Sequence, residues 1–345
     1  MPQESSKICI DRVLPQEVFR PQPTTAPVPG RVLRAVFEFR KMWINGSTLH
    51  VRFLNGTPAQ QAQVQAEALV WTEHANLKFD FNDALDAEIR VEFATDNHAW
   101  SLVGTDALRE ARNNATMHFG FEQPGTIAHE FGHAIGLGHE HQNPAGGIKW
   151  NEAVVIRELS GPPNIWTEAE IRHNVLDKYS RDQIRGTDFD GDSIMLYAFP
   201  GEWTKSGQGT KENAVLSALD KSFISSSKAY PRTAPPPVEL VVNATTPTPA
   251  SIGKPGEEDL YTFNVTRPGR HVITTKGRTN VMMKLFGPDS QTRLIAEDDD
   301  SGVGTNAKIS LSLLPGQYFV QIRHFDQATG VGDYSIQCSA KSSTR

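Results

Sequence analysis

The sequence predicts a mixed α+β domain built around one motif-bearing helix, followed by an all-β sandwich. Three observations lead there. Up to residue 231, alternating apolar stretches are interrupted by segments of helical period, whereas from residue 238 onward only alternation remains. The composition changes between them, at Pro231, Pro235, Pro236 and Pro237 and the Thr/Pro stretch Thr245 to Pro249. The length of 345 residues is about twice that of a usual single domain, so two cores are expected rather than one. The division predicted is an extended segment 1–30, a mixed domain 31–231, a linker 232–237 and a sandwich 238–345.

Each element has its own signal. Pro15 to Pro29 is proline-rich without apolar period and reads as an extended lead-in. Leu49, Val51 and Phe53 alternate on one face of a strand. Across Pro58 to Ala75, Val64, Ala68, Trp71 and Ala75 recur at helical spacing, with Pro58 suited to a helix start. Ile89, Val91 and Phe93 alternate again, and Ala115 to Gly120 is short enough for an edge strand. Past the seam, Tyr261/Phe263/Val265, Ile309/Leu311/Leu313, Tyr318/Val320/Ile322 and Tyr334/Ile336/Cys338 alternate between Gly, Pro or Asp turns. About 100 residues is an ordinary sandwich size.

Composition narrows the function. Hydrophobic residues make up 38% of the chain, with six Trp and 17 Phe, which is enough for packed cores. The formal net charge of −6 comes without a basic stripe, so nucleic acid is not an expected partner. No stretch approaches the roughly 18 consecutive apolar residues of a membrane span. Two cysteines, Cys9 and Cys338, cannot staple the fold with a disulfide framework, and Met1 to Asp11 shows no secretory signal.

The chemistry is carried by the segment from Thr126 to His139, which contains the pattern HExxHxxGxxH. Four residues of α-helix turn through about 400° and rise about 6 Å, so His129 and His133 project from one face and can grip one ion. Gly136 can leave the helix with positive φ and swing His139 back to the same ion. Three neutral imidazoles suit one Zn²⁺ and leave a fourth tetrahedral position for water, the arrangement of a catalytic site. Glu130 sits about 100° around the helix from His129, where it can act as general base on that water without ligating the metal. The bland alternative is a helix with one core and one exposed histidine. The glycine and the third histidine at fixed offsets lower its chance rate by roughly two to three orders of magnitude.

Together with Ser193-Ile194-Met195-Leu196-Tyr197, this pattern resembles the metzincin clan of metallopeptidases, and within it the astacin-like branch, over residues 31–231. Further segments that resemble astacins are Trp100 to Gly104 and Leu216 to Asp220. The resemblance implies a zinc endopeptidase acting on proteins or peptides. It implies that Met195 forms a hydrophobic floor beneath zinc. Tyr197 would bind zinc at rest and hydrogen-bond the oxyanion in catalysis. It further implies that Thr116, Met117, His118, Phe119 and Gly120 form the edge strand that pairs with an extended substrate. Glu140, directly after the third histidine, is also an astacin feature. The sequence departs from the family in having no cysteine between 31 and 231, and in the stretch His141-Gln142-Asn143-Pro144, so pocket specificity does not carry over. Residues 238–345 resemble the bacterial pre-peptidase C-terminal module through Glu297 to Asp300, Leu314 to Val320 and Tyr334 to Ile336. Such modules accompany secreted peptidases.

Several residues have two readings. His141 competes with His139 as third ligand, though the glycine offset fits His139 better. Asp188, Asp190 and Asp192 alternate like a calcium loop, but Gly191 is misplaced, so they read as a polar turn. Glu297, Asp298, Asp299 and Asp300 with Asn306 are compatible with Ca²⁺, which is nevertheless not predicted. Tyr197 has a plain role as a core tyrosine, and His118 as a polar strand residue. Cys338 reads as a small buried hydrophobe. Cys9 is either an ordinary thiol or a latch on the open zinc position. At the level of function, a catalytically silent zinc-containing binding protein and a zinc aminopeptidase are the alternatives to an endopeptidase.

Overall fold

Thr57 starts the first helix. Its hydroxyl accepts from Gln60 N at 3.3 Å while the Gln60 side chain takes Thr57 N–H at 3.0 Å, a reciprocal cap ahead of Pro58–Thr72 (α1). In this computed structural model the described residues are 8–9, 41–96, 98–144, 146–162, 164–178, 189–327 and 329–340. The lead-in at Pro15 to Pro29, Asp188 and the Cys9 thiol lie outside the described residues.

The first sheet contains Ile8–Cys9 (β1), Thr48–Phe53 (β2), Lys78–Phe81 (β3), Ile89–Phe93 (β4), His98–Ser101 (β5) and Met117–Phe119 (β6). Across the sheet the order is β1-β5-β6-β4-β2-β3. β2, β4 and β6 run parallel, and β5 is antiparallel to β6. Leu49, Val51, Val91 and Phe93 are buried as their alternation requires. Arg90 is buried too, its guanidinium held by the carbonyls of Ala87 and Asn114 at 2.9 and 2.7 Å.

One expectation is corrected. Thr116 to Gly120 is not an edge: β6 lies inside the sheet between β5 and β4, and Met117, His118 and Phe119 are all buried. Thr116 N donates to Arg90 O at 2.9 Å, and Thr116 O accepts Leu102 N at 2.8 Å, so backbone groups are used on both sides. A three-residue strand has the same local pattern at an edge and in an interior. What decides is whether another strand joins it, and β5 does.

The sandwich has a four-stranded and a five-stranded sheet. The first follows the order Lys308–Leu313 (β13), Gly269–Gly277 (β10), Gly332–Ala340 (β15) and Thr248–Ile252 (β8). The second runs Leu294–Asp298 (β12), Val281–Phe286 (β11), Gly316–His324 (β14), Asp259–Val265 (β9) and Val238–Glu239 (β7). Tyr261, Phe263, Val265, Tyr318, Val320, Ile322, Tyr334 and Ile336 point into one core, as their alternation predicts. The chain divides into two compact units. The second begins at Ser225, ahead of the proline cluster, and also takes in Ile44–Thr48 and Ala75–Lys78. Within that unit Ile44 packs with Phe286 and Phe319, and Asn45 N donates to Glu258 at 3.3 Å. No local pattern in the sequence announces this membership.

Cys338 is 1% exposed, and burial pushes its thiol up to about 12. Neither access nor thiolate is then available at pH 8. A maleimide should leave Cys338 unmodified in the folded protein and label it in denaturant, as read by mass of its peptide; rapid labelling of the native form would contradict the buried sandwich core. Among the described residues, no helix is long and apolar enough to cross a membrane.

Candidate metal centre and active site

The active-site helix, Thr126–Ala134 (α2), starts at Gly125, whose φ of +89° suits a residue without Cβ. Two indoles fix the helix from outside: Trp71 Nε1 donates to Ala128 O at 2.7 Å and Trp43 Nε1 to Ala134 O at 2.9 Å. Gly136 takes φ +104° just past the helix, and the chain turns so that His139 faces its two predecessors.

His129, His133 and His139 are 6%, 0% and 0% exposed, and one ligand atom from each lies within 4.8 Å of the others. His133 Nε2 is 3.1 Å from His129 Nε2 and 2.9 Å from His139 Nε2. A carbonyl only accepts, so His129 Nδ1, 2.7 Å from Ile194 O, and His133 Nδ1, 2.7 Å from Leu137 O, carry the protons. In the neutral rings the facing Nε2 atoms of this pair then hold lone pairs, which cannot bond one another. Such a cluster suits a cation held by imidazole, and three nitrogen ligands fit Zn²⁺. Among the described residues this is the group of His, Cys, Asp or Glu side chains able to hold an ion.

Glu130 follows His129 on α2 and is fully buried. Met195 lies against the same helix: a Cβ added to Gly132 would sit 2.5 Å from its sulfur. The stretch around Met195 also holds the ring of His129 and the backbone just past His139. Ile194 O receives His129 as above, and Met195 O accepts Glu140 N at 2.9 Å. Tyr197 is half-buried and packs against a core cluster that includes Trp150, Phe199 and Trp203. Its hydroxyl meets His139 Nε2, and its ring lies 4.6 Å from that of His139 and 4.9 Å from that of His129.

Other singled-out residues go elsewhere. His141 Nε2 bonds Asn174 O at 2.9 Å, while its ring stacks on that of His139 at 5.0 Å between centroids. His118 stacks on Trp100 and bonds Glu92 at 3.3 Å and Asp96 at 3.1 Å. Asp190 closes a turn, its Oδ1 taking Asp192 N at 3.0 Å and its Oδ2 the Ser217 hydroxyl at 2.6 Å. Asp298 does likewise in the sandwich, accepting Ser301 N at 3.1 Å and Lys308 N at 2.7 Å. Glu140 is 2% exposed, and burial pushes its carboxyl up to about 8 despite bonds from Asp190 N and the Asn143 amide.

Sequence reasoning assigned no role to Asp220. Burial raises its carboxyl above the usual range, against bonds from Ile194 N, Ser217 N and the Ser193 hydroxyl. Its only sequence signal was its place in the astacin-like segment Leu216 to Asp220.

Comparison with known proteins agrees with this geometry. A structure of myroilysin is 35% identical, covering 58% of this chain and 100% of that chain with a TM-score of 0.55. A second myroilysin crystal structure is 31% identical over 66% of this chain and 93% of that chain, with a TM-score of 0.48. The pre-peptidase C-terminal domain of a collagenase from Bacillus anthracis is 18% identical, covering 31% of this chain and 99% of that chain, with a TM-score of 0.26. No curated protein matches the chain significantly. The family profile of the astacin peptidases matches residues 36–215. With its histidine triad in the HExxHxxGxxH segment, this chain belongs to the astacin family of zinc metallopeptidases.

Proposed function

We propose that the protein is an endopeptidase that cuts internal peptide bonds, with His129, His133 and His139 as zinc ligands and Glu130 as general base. The observation that carries this reading is the buried triad with converging Nε2 atoms next to a fully buried carboxylate on the same helix. Zinc in that position supplies a polarising charge and a water acidic enough to react near neutral pH. Glu130 takes the proton from the attacking water and later gives it to the leaving amine. Tyr197 directs its hydroxyl to the same point and would donate to the oxyanion that develops on the scissile carbonyl.

An extended substrate needs free backbone groups beside the site, and β6 has none to offer. The role falls to β5. Its outer side is the one Ile8 and Cys9 occupy, in parallel with His98 and Ala99, and an extended substrate would take their place there. Backbone pairing is tolerant of sequence and favours cuts within a chain. The test is to digest an unfolded protein and map products by mass spectrometry: internal cuts are expected, and stepwise trimming from one end would overturn the reading in favour of an aminopeptidase.

The contact between Tyr197 and His139 also motivates the silent alternative, in which the phenol closes the site for good. The two readings separate on Tyr197→Phe. As an oxyanion donor Tyr197 acts mainly in the transition state, so kcat should fall by about tenfold to a thousandfold with little change in KM. A variant more active than wild type would instead mark Tyr197 as a plug.

A further inference from the structure

The bond from His129 Nδ1 to Ile194 O, 2.7 Å long, is one end of a longer chain of donors. The peptide that carries this carbonyl also carries the Met195 N–H, which donates to Ser193 Oγ at 3.0 Å. The Ser193 hydroxyl donates in turn to Asp220 Oδ1 at 2.8 Å. Every link therefore points the same way: imidazole to peptide, peptide to hydroxyl, hydroxyl to carboxylate. The second oxygen of Asp220 takes Ile194 N and Ser217 N, both at 2.9 Å. His129, Ser193 and Asp220 are 6%, 2% and 3% exposed, so water competes little for these bonds.

Hydrogen bonds aligned head to tail polarise one another, more so away from water. With a carboxylate at its end, the chain leaves Ile194 O a stronger acceptor than an ordinary amide oxygen. An imidazole that donates to a stronger acceptor is both better fixed and more basic at its other nitrogen.

We propose that Asp220 is a positioning residue for the metal, acting through Ser193 and the Ile194–Met195 peptide to orient His129 and raise the basicity of its Nε2. This rests on reading His129 as a zinc ligand. The corresponding bond of His133 goes to Leu137 O, within the turn that ends α2. One ligand is thus set locally and another by a carboxylate distant in sequence.

Asp220 also has a plainer role. It lies in the first turn of the helix Ala218–Ile224, where Ser217 Oγ accepts Leu219 N at 3.1 Å and Asp220 N at 2.9 Å. A capping role alone would affect stability and leave the metal untouched. The two are separable because Ser217 Oγ caps this helix without entering the chain of donors to His129.

The experiment uses the full-length protein stripped of metal, in five forms: wild type, Asp220→Asn, Ser193→Ala, the double variant and Ser217→Ala. Three quantities are read: zinc Kd by competition with a chelator, visible absorption of the cobalt(II)-loaded protein, and Tm of the metal-free protein. Each single break in the relay should raise the zinc Kd by about tenfold to a hundredfold and shift the cobalt bands. The double variant should bind no more weakly than the weaker single, because both substitutions interrupt one path. Ser217→Ala should lower the metal-free Tm and keep the wild-type Kd and spectrum. A wild-type Kd and cobalt spectrum in Ser193→Ala and Asp220→Asn would overturn the proposal, and so would additive losses in the double variant. Should Asp220→Asn fail to fold, Ser193→Ala decides alone by the same two readouts. Failure of unsubstituted protein to bind zinc would sink the reading of the histidine site itself, and would be visible before any variant is compared.

Discussion

Glu130→Gln is expected to hold zinc in near-native amount and to turn over peptides at least about a hundredfold more slowly than wild type. The substitution keeps the shape of a side chain with 0% exposure, so α2 and its two histidines need not repack. What disappears is proton transfer, since an amide can neither take a proton from water nor deliver one to a leaving amine. Elemental analysis gives the zinc content, and a quenched fluorescent peptide gives kcat. Near-wild-type turnover with zinc bound would remove Glu130 from the mechanism.

His139→Ala is expected to lose both the ion and the activity. Two imidazoles from one helix face hold zinc poorly, because a catalytic site needs three protein ligands to fix its geometry. His141 stacks on His139 at 5.0 Å between ring centroids, but its Nε2 is engaged by Asn174 O and its ring is packed edge-on against Phe199, so it would have to give up both contacts to substitute. A ligand that binds only the folded state stabilises it by about 4 kcal/mol at a thousandfold excess over Kd. Zinc should therefore raise the Tm of wild type by several degrees and leave that of His139→Ala unmoved. Stoichiometric zinc in the variant would reassign the third ligand.

Much of this site was legible because its spacing is local. His129 and His133 share a face because four residues make slightly more than one helical turn, and no tertiary contact is needed to know it. Gly136 was readable for a similar reason, since a chain that must reverse within three residues needs a position tolerant of positive φ, here +104°. The sandwich core was legible through a period of two, which puts Tyr318, Val320 and Ile322 on one face wherever the strand lies.

Other features depend on partners far along the chain, and no periodicity encodes those. Whether Thr116 to Gly120 is an edge depends on β5, which joins β6 by antiparallel pairing that neither segment's pattern specifies. Ile44 and Asn45 read as the start of the mixed domain, yet they pack in the second unit with Phe286, Phe319 and Glu258. Gly132 reads only as a spacer between two histidines, until Met195 is found where its Cβ would be. Asp220 is the sharpest case, since in sequence it is only the last residue of the astacin-like segment Leu216 to Asp220. The sequence alone predicted the histidine cluster, the glutamate beside it and the sandwich, because helix and strand periods map side chains onto faces directly. The tertiary structure decided that β6 lies inside its sheet and that Asp220 meets Ser193 and Ile194, because hydrogen bonds between remote segments exist only once the chain has folded.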